Sequence, residues 1–306
     1  MSVNLSPLMQ SAQAGLFVEP GRSVHYLELQ WPKSVTLERL KDALIKALQP
    51  APEVFIAVGF GMDAWVRLGA KFAPKKLQHF TQMEGKNGAQ MPSTQGDIWF
   101  WIHGEDQGEV MNAVLSVHHA IRNVLVAQQD LNGFKNKEAR DLTGFVDGTA
   151  NPKEDKRGEI AQIPFGEIGA GGSYVFTQKW RHNLTAFNAL TVSEQEKVFG
   201  RTKVDNIEMR GEAMPKNSHV ARTDVKVDGI GQKIYRRSTP FGTAEHHGLY
   251  FLAFSCDPDR IQIQLQRMLG NTEDGISDEL MKYSKAETGS YWFMPAQQDL
   301  NDLLKP

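Results

Sequence analysis

One element order, read twice along 306 residues, constrains this chain more than any other feature of its sequence. Gly21–Trp31 alternates as a strand does, with Val24 and Tyr26 turned inward together with Leu27 or Leu29. Leu37, Leu40, Leu44, Ala47 and Leu48 then recur at helical spacing, with Ser34 or Thr36 as the N-cap and Pro50 as the stop. Val54–Phe60 predicts a second strand, and the aromatic run Asp97–His103 a third. Val110, Val114, Val117, Ile121 and Leu125 mark another helix, and a fourth strand falls between Gln128 and Phe134.

The order β-α-β-β-α-β is the ferredoxin-like arrangement. The second half repeats it less cleanly. Ser173–Trp180 reads as a strand, Leu184–Leu190 as a short helix, and Ser193 as the cap of another helical turn. Gly248–Cys256 is a central strand, Ile261, Leu265, Met268 and Leu269 line a helix, and Tyr291–Met294 is a terminal strand. Residues 200–245 are irregular and rich in Arg, His, Gly, Asn and Pro; irregular segments this long inside a compact domain often carry function. The expected fold class is α+β: two ferredoxin-like domains, 1–143 and 144–306, each with a four-stranded antiparallel sheet and helices packed on it. No Gly-x-Gly-x-x-Gly follows a strand and no P-loop is present, which argues against nicotinamide-cofactor and P-loop nucleotide chemistry.

Charge and cysteine content narrow the function classes. A formal net charge of -2, from 34 Lys+Arg and 36 Asp+Glu, gives no ground for a nucleic-acid or membrane-surface role. A single cysteine, Cys256, excludes an internal disulfide framework and a cysteine-rich metal site. Met1-Ser-Val-Asn-Leu-Ser-Pro lacks the basic and apolar regions of a signal peptide, and no window approaches the roughly 18 apolar residues of a spanning helix. The expectation is a cytoplasmic protein, no membrane partner, and a homodimer or higher homo-oligomer.

Three polar segments are the candidates for chemistry. In Gly144–Pro152, glycines bracket Asp147 and permit close backbone approach to a ligand; the plain alternative is an exposed Asp-Gly turn. In Asn217–Arg222, His219 sits off any apolar stripe. Neutral imidazole ligates iron or zinc and acts as a base near neutrality; the alternative is an ordinary hydrogen-bonded histidine. In Tyr235–Gly242, adjacent Arg236 and Arg237 suit bidentate contact with carboxylates, or form a solvated positive loop. His118-His119 and His246-His247 are weaker candidates, since adjacent side chains diverge on a helix or strand.

Together these segments resemble the dye-decolourising peroxidases, a haem-dependent family, and most closely its bacterial cytoplasmic branch. The marks are GFVDGTANP at 144–152 (a Gly-x-x-Asp-Gly motif with an Asn-Pro continuation), NSHVAR at 217–222, YRRSTPFG at 235–242 and TEDGISDELMKYSKAETGSYWFMP at 272–295. Their order and spacing match along essentially the whole chain. The resemblance implies one haem b per chain, held mainly by the second domain, with His219 as the proximal iron ligand and Asp278 as the acidic partner of that imidazole. It implies Asp147 and Arg236 on the distal face, where peroxide binds, and Ser238 at a distal position that some relatives fill with Asn. Gly148 belongs to the segment that reaches over the cofactor. Phe251 or another Phe is expected at the distal edge of the haem, and Arg222 or another nearby cation against a propionate. The implied activity is reduction of hydrogen peroxide, with phenols, aromatic amines or dyes oxidised in one-electron steps. Tyr235 is either an electron relay or a packing residue. The alternative from another class is haem or porphyrin handling, by binding, transfer or iron release.

Overall fold

Each half of the chain lays down its strands in the same spatial order. The computed structural model describes residues 5–154 and 156–305; Met1–Asn4, read above for the absence of a leader, lie outside the described residues. The first half forms β1 (Ser23–Gln30), α1 (Leu37–Ala47), β2 (Val54–Phe60), β3 (Ile98–Gly104), α2 (Gln107–Ile121) and β4 (Val126–Phe134). Hydrogen bonds order these strands β4-β1-β3-β2, all antiparallel. The second half forms β5 (Ser173–His182), α3 (Val192–Phe199), α4 (His219–Thr223), β6 (Tyr235–Arg236), β7 (Thr239–Gly242), β8 (His247–Ser255), α5 (Asp259–Met268), β9 (Ser284–Ala286) and β10 (Ser290–Met294).

Two strands of the second half are interrupted. β6 and β7 pair with β8 in one continuous register, Tyr235 opposite Phe254 and Thr239 opposite Tyr250, so they are one strand broken at Arg237 and Ser238. β9 and β10 also follow each other along β5, with one extra residue between them: Ala286 lies opposite Trp180 and Ser290 opposite Thr177. With each broken strand counted once, the second half runs β6/β7-β8-β5-β9/β10, the same ferredoxin-like order as the first. The expected α+β arrangement is therefore present in both halves.

The sequence reading did not foresee that the two sheets join. β10 pairs with β2 at Phe293 and Phe60, and β7 pairs with β4 at Phe241 and Gly133. At each seam the second strand of one half meets the fourth strand of the other. The result is a closed barrel of eight strand positions, which removes the long sheet edges and leaves an interior just wide enough for side chains. Val24 and Tyr26 point into it, beside Trp99, Trp101, Tyr250 and Trp292. Leu27 and Leu29 face the other way, under α1 and α2, with Leu40, Leu44, Val114 and Val117. Glu28 is also interior: the Tyr250 hydroxyl donates to its Oε1 at 2.6 Å and the Thr177 hydroxyl at 3.0 Å, while burial pushes its carboxyl above the usual range.

Local signals account for most element ends. Thr36, of the two candidates, caps α1. Thr191 and not Ser193 caps α3: its hydroxyl accepts from the Glu194 N–H, and the Glu194 carboxylate accepts from the Thr191 N–H. Ser193 lies inside the first turn. The crossover from β1 to β2 is one helix of 11 residues, whereas the crossover from β5 to β6 is broken into short pieces that include α3 and α4. Among the described residues, no helix is long and apolar enough to cross a membrane.

One interior residue predicts a pH dependence of stability. His103 on β3 is 1% exposed, with its ring centroid 4.2 Å from that of Trp101 and 5.2 Å from that of Phe55. Burial and the nearby Arg237 charge push its pKa down to about 3. The unfolded chain binds a proton here near pH 6.5 and the folded chain refuses it, so stability that is complete above that range is lost as pH falls toward 3. Acidifying from about pH 6.5 to pH 5 costs on the order of 2 kcal/mol through this ring. His103→Phe flattens that part of the curve. Denaturant unfolding at both pH values measures it, and an unchanged slope in the variant counts against the assignment.

Candidate active site

The Asp147 loop is a hairpin-like excursion fixed at both ends. Its arms meet at the bridge between Arg140 and Val146, and Asp147 N–H donates to the Ala139 carbonyl at 2.9 Å. Gly144 and Gly148 adopt φ of 88° and 81°, the left-handed conformations that let the chain turn before and after the carboxylate. Asp147 Oδ1 accepts from the Gly148 N–H at 2.7 Å and lies 3.3 Å from Arg236 Nη2. The Asp147 and Arg236 side chains are 25% and 21% exposed, so this pair is only partly screened by water.

Asn151 locks the loop to the strand that carries Arg236. Its amide donates to the Arg236 carbonyl at 2.9 Å and accepts from the Arg236 N–H at 3.0 Å, as a neighbouring strand would. Asn151 belongs to the Gly144–Pro152 motif, but local sequence does not foretell this clamp. Arg236 sits between Tyr235 and Arg237, and strand alternation sends it to the opposite face from both. Tyr235 packs in the barrel core, with the Arg237 guanidinium 4.3 Å above its ring and hydrogen-bonded to its hydroxyl.

His219 opens α4, a five-residue helix capped by the buried Ser218. Its Nδ1 lies 2.7 Å from Asp278 Oδ2, and the Asp278 side chain is 0% exposed. Asp278 Oδ1 accepts from the Leu280 N–H at 2.9 Å, which fixes the carboxylate. A carboxylate at Nδ1 selects the tautomer with a proton there and leaves the Nε2 lone pair free. The neighbouring acids have other partners: Asp274 takes Arg222, and Glu279 takes Lys282 and Asn217.

A cavity brings these groups together. It holds about 1150 Å³ of space, its mouth included, and is lined by Asp147, Arg236 and His219 with Phe145, Phe199 and Phe251 among its apolar walls. Leu265 and Met268 of α5 close another side. Two further lining residues were not foreseen. Arg201 follows Gly200, the left-handed C-cap of α3, and reaches the cavity while bonded to Glu208 at 2.6 Å. Gln178 on β5 is 0% exposed, and neither atom of its amide has a partner. An outer vestibule of about 1770 Å³ shares Asp141, Asp147, Thr149, Arg236 and Leu249 with the cavity, and Gly148 and Tyr235 line it.

Two of the expected residues lie outside the lining of the inner cavity. Arg222 does not reach the cavity: it is 1% exposed, forks onto Asp274 at 2.7 and 3.1 Å and donates to the Arg267 carbonyl at 3.2 Å. A charge partner close in space turns it away and ties α4 to the following segment. Ser238 lines the vestibule and not the inner cavity. Its hydroxyl accepts from the Leu252 N–H at 3.3 Å, where the strand is broken. Cys256, past the end of β8, is not among the cavity-lining residues.

Family models and known relatives match most of the chain. The model for the N-terminal part of Dyp-type peroxidases matches residues 26–135, and the model for their C-terminal part matches residues 138–299. Over 266 residues the chain is 34% identical to the dye-decolorizing peroxidase of Mycobacterium tuberculosis, covering 83% of this chain and 78% of that one. The solved dye-decolorizing protein from V. cholerae superposes with a TM-score of 0.85 at 35% identity, over 95% of this chain and 99% of that one. A Rhodococcus jostii DypB variant in complex with heme superposes with a TM-score of 0.89 at 29% identity, over 96% and 99%.

The Asn151 clamp yields a prediction. Asn151→Ala removes two part-buried hydrogen bonds, so unfolding free energy falls by about 1–3 kcal/mol in denaturant titration. The Asp147 loop loses its hold on β6, so amide exchange in residues 144–151 accelerates. Unchanged exchange there would show that the bridge between Arg140 and Val146 suffices alone.

Proposed function

The chain belongs to the Dyp-type peroxidase family, and on that footing we propose that it reduces hydrogen peroxide with electrons drawn singly from phenols, aromatic amines or dyes, using one haem b per chain. The observation that carries the reading is one cavity lined by both a carboxylate-backed histidine and a carboxylate–guanidinium pair.

The residues suit such a group. His219 Nε2 would hold the iron, the aromatic and aliphatic walls would flank the ring, and Arg201 would pair with its acid groups. The unpartnered Gln178 amide is polar surface that a bound group or its water would satisfy. Haem supplies the iron at which the peroxide O–O bond is broken and electrons are exchanged.

The protein's own groups manage protons and charge. Asp278 accepts the Nδ1–H of His219 and raises the basicity of Nε2, which favours electron release toward the iron. The Asp147 carboxylate takes a proton from one peroxide oxygen and returns it to the departing one. The Arg236 guanidinium stabilises the negative charge that develops as the oxygens separate. Gly148 donates to Asp147 Oδ1, which holds the carboxylate oriented toward Arg236. Phe251 and Leu249 keep bulk water from the reacting atoms. A haem carrier, or a protein that strips iron from haem, would use the same His219 but would need no proton-transfer pair.

Absorption spectroscopy with one equivalent of peroxide tests the reading. The loaded protein should show a ferric haem spectrum that changes on peroxide addition and returns when a phenol is supplied. His219→Ala abolishes the wild-type spectrum. Asp147→Asn or Arg236→Leu slows the peroxide step by about 100-fold or more without loss of bound haem. A loaded wild-type protein inert to peroxide, yet releasing iron and a fluorescent porphyrin under anaerobic reduction, would replace this function with haem handling.

A further inference from the structure

Three buried polar side chains beside the Asp147–Arg236 pair form a hydrogen-bonded line that the mechanism above does not use. Ser284 Oγ lies 2.7 Å from His182 Nδ1, and His182 Nε2 lies 3.2 Å from Asp141 Oδ1. The three residues are 4%, 9% and 8% exposed. Each comes from a different part of the fold: β9, the end of β5, and the root of the Asp147 loop.

The ends of this line open on different spaces. Ser284 and His182 line a wide polar basin of about 2300 Å³, together with Arg181, Lys282 and Lys285. The same two residues, and Asp141, also line the inner cavity. Asp141 in turn borders the vestibule beside Asp147. The line thus crosses the wall between the basin and the Asp147 side of the site. A buried carboxylate held by an imidazole adds little to stability over apolar packing. Burial by itself would raise the Asp141 carboxyl, but the His182 ring and the Thr143 hydroxyl hold it below the usual carboxylate range.

We propose that Ser284, His182 and Asp141 form a proton relay between the basin and the cavity. The proposal rests on the peroxidase reading, because that reaction creates the demand: reducing one peroxide to two waters takes two electrons and two protons from outside the peroxide. A donor bound at the vestibule mouth would block that route for water. In the relay, a solvent proton passes through the Ser284 hydroxyl to His182 Nδ1. The proton on His182 Nε2 passes to Asp141, and water within the cavity carries it on to Asp147. Only O–H and N–H bonds form and break, and no electron moves along the line.

The test follows protons in both the loaded and the ligand-free protein. Haem-loaded wild type, His182→Gln, Ser284→Ala and Ser284→Thr are mixed with peroxide in water and in heavy water. The relay predicts that His182→Gln and Ser284→Ala slow peroxide reduction about tenfold or more and raise its solvent isotope effect, while Ser284→Thr stays within about twofold of wild type. In the ligand-free protein, nitrogen-15 NMR of the His182 ring reads proton exchange with water, which Ser284→Ala slows and Ser284→Thr preserves. Should His182→Gln fail to fold, the Ser284 pair, which differs by a hydroxyl, carries the comparison. Wild-type rates, isotope effects and ring exchange in Ser284→Ala would overturn the relay and leave the peroxidase reading intact. A loaded wild type inert to peroxide would overturn that reading, and the ring exchange would still decide the relay.

Discussion

Closure of the barrel is the constraint on which the rest of the structure depends. It rests on two seams, each recorded by a single residue pair, Phe293 with Phe60 and Phe241 with Gly133. Small residues permit both. A Cβ at Gly133 would come within 2.4 Å of the Thr239 hydroxyl, and one at Gly59, beside Phe60, within 3.3 Å of the Trp292 Cβ. Once the seams form, every strand has a committed inner face and a committed outer face. Tyr235 and Arg237 go in, and Arg236 goes out to meet Asp147. A slip of one residue would exchange them and abolish the site.

The site is then assembled by pairing segments that are distant in sequence. Asp278 reaches His219 across 59 residues, and Asn151 reaches Arg236 across 85. In each case a polar side chain does more than touch its partner: it sets the orientation of the group that faces the cavity. Asp278 fixes the ring of His219, and Asn151 completes a missing strand beside Arg236. Such links are enforced by burial, since an unpaired carboxylate or amide away from water is costly.

What could be read beforehand follows from the range of each interaction. Strands and helices came through because alternation and helical spacing are local, and the repeated order carried both four-stranded sheets. The seams did not, because one residue pair leaves no periodic trace. Thr191 had a readable signal, Glu194 three residues on, and the choice of Ser193 passed over it. Asp147, His219 and Arg236 lie in polar segments, and their roles were legible through the likeness of those segments to the dye-decolourising peroxidases. The placement of Arg222 was missed because it depends on Asp274, 52 residues away. Arg201 and Gln178 sit in ordinary local sequence, and only the shape of the cavity distinguishes them.

The broken crossover between β5 and β6 has a meaning of its own. In the first half, the same connection is α1, whose apolar stripe covers the outer face of its sheet. In the second half, residues 183–234 offer only short pieces at that position, and the cavity lies on the sheet between α4 and α5. The two halves thus share a strand plan but differ in tolerance to change. Apolar swaps of similar volume in α1 leave a filled layer filled. Regularising 183–234 into one helix would improve local propensity and close the space that His219 looks into. The irregularity of that stretch is therefore a requirement of the fold's second half.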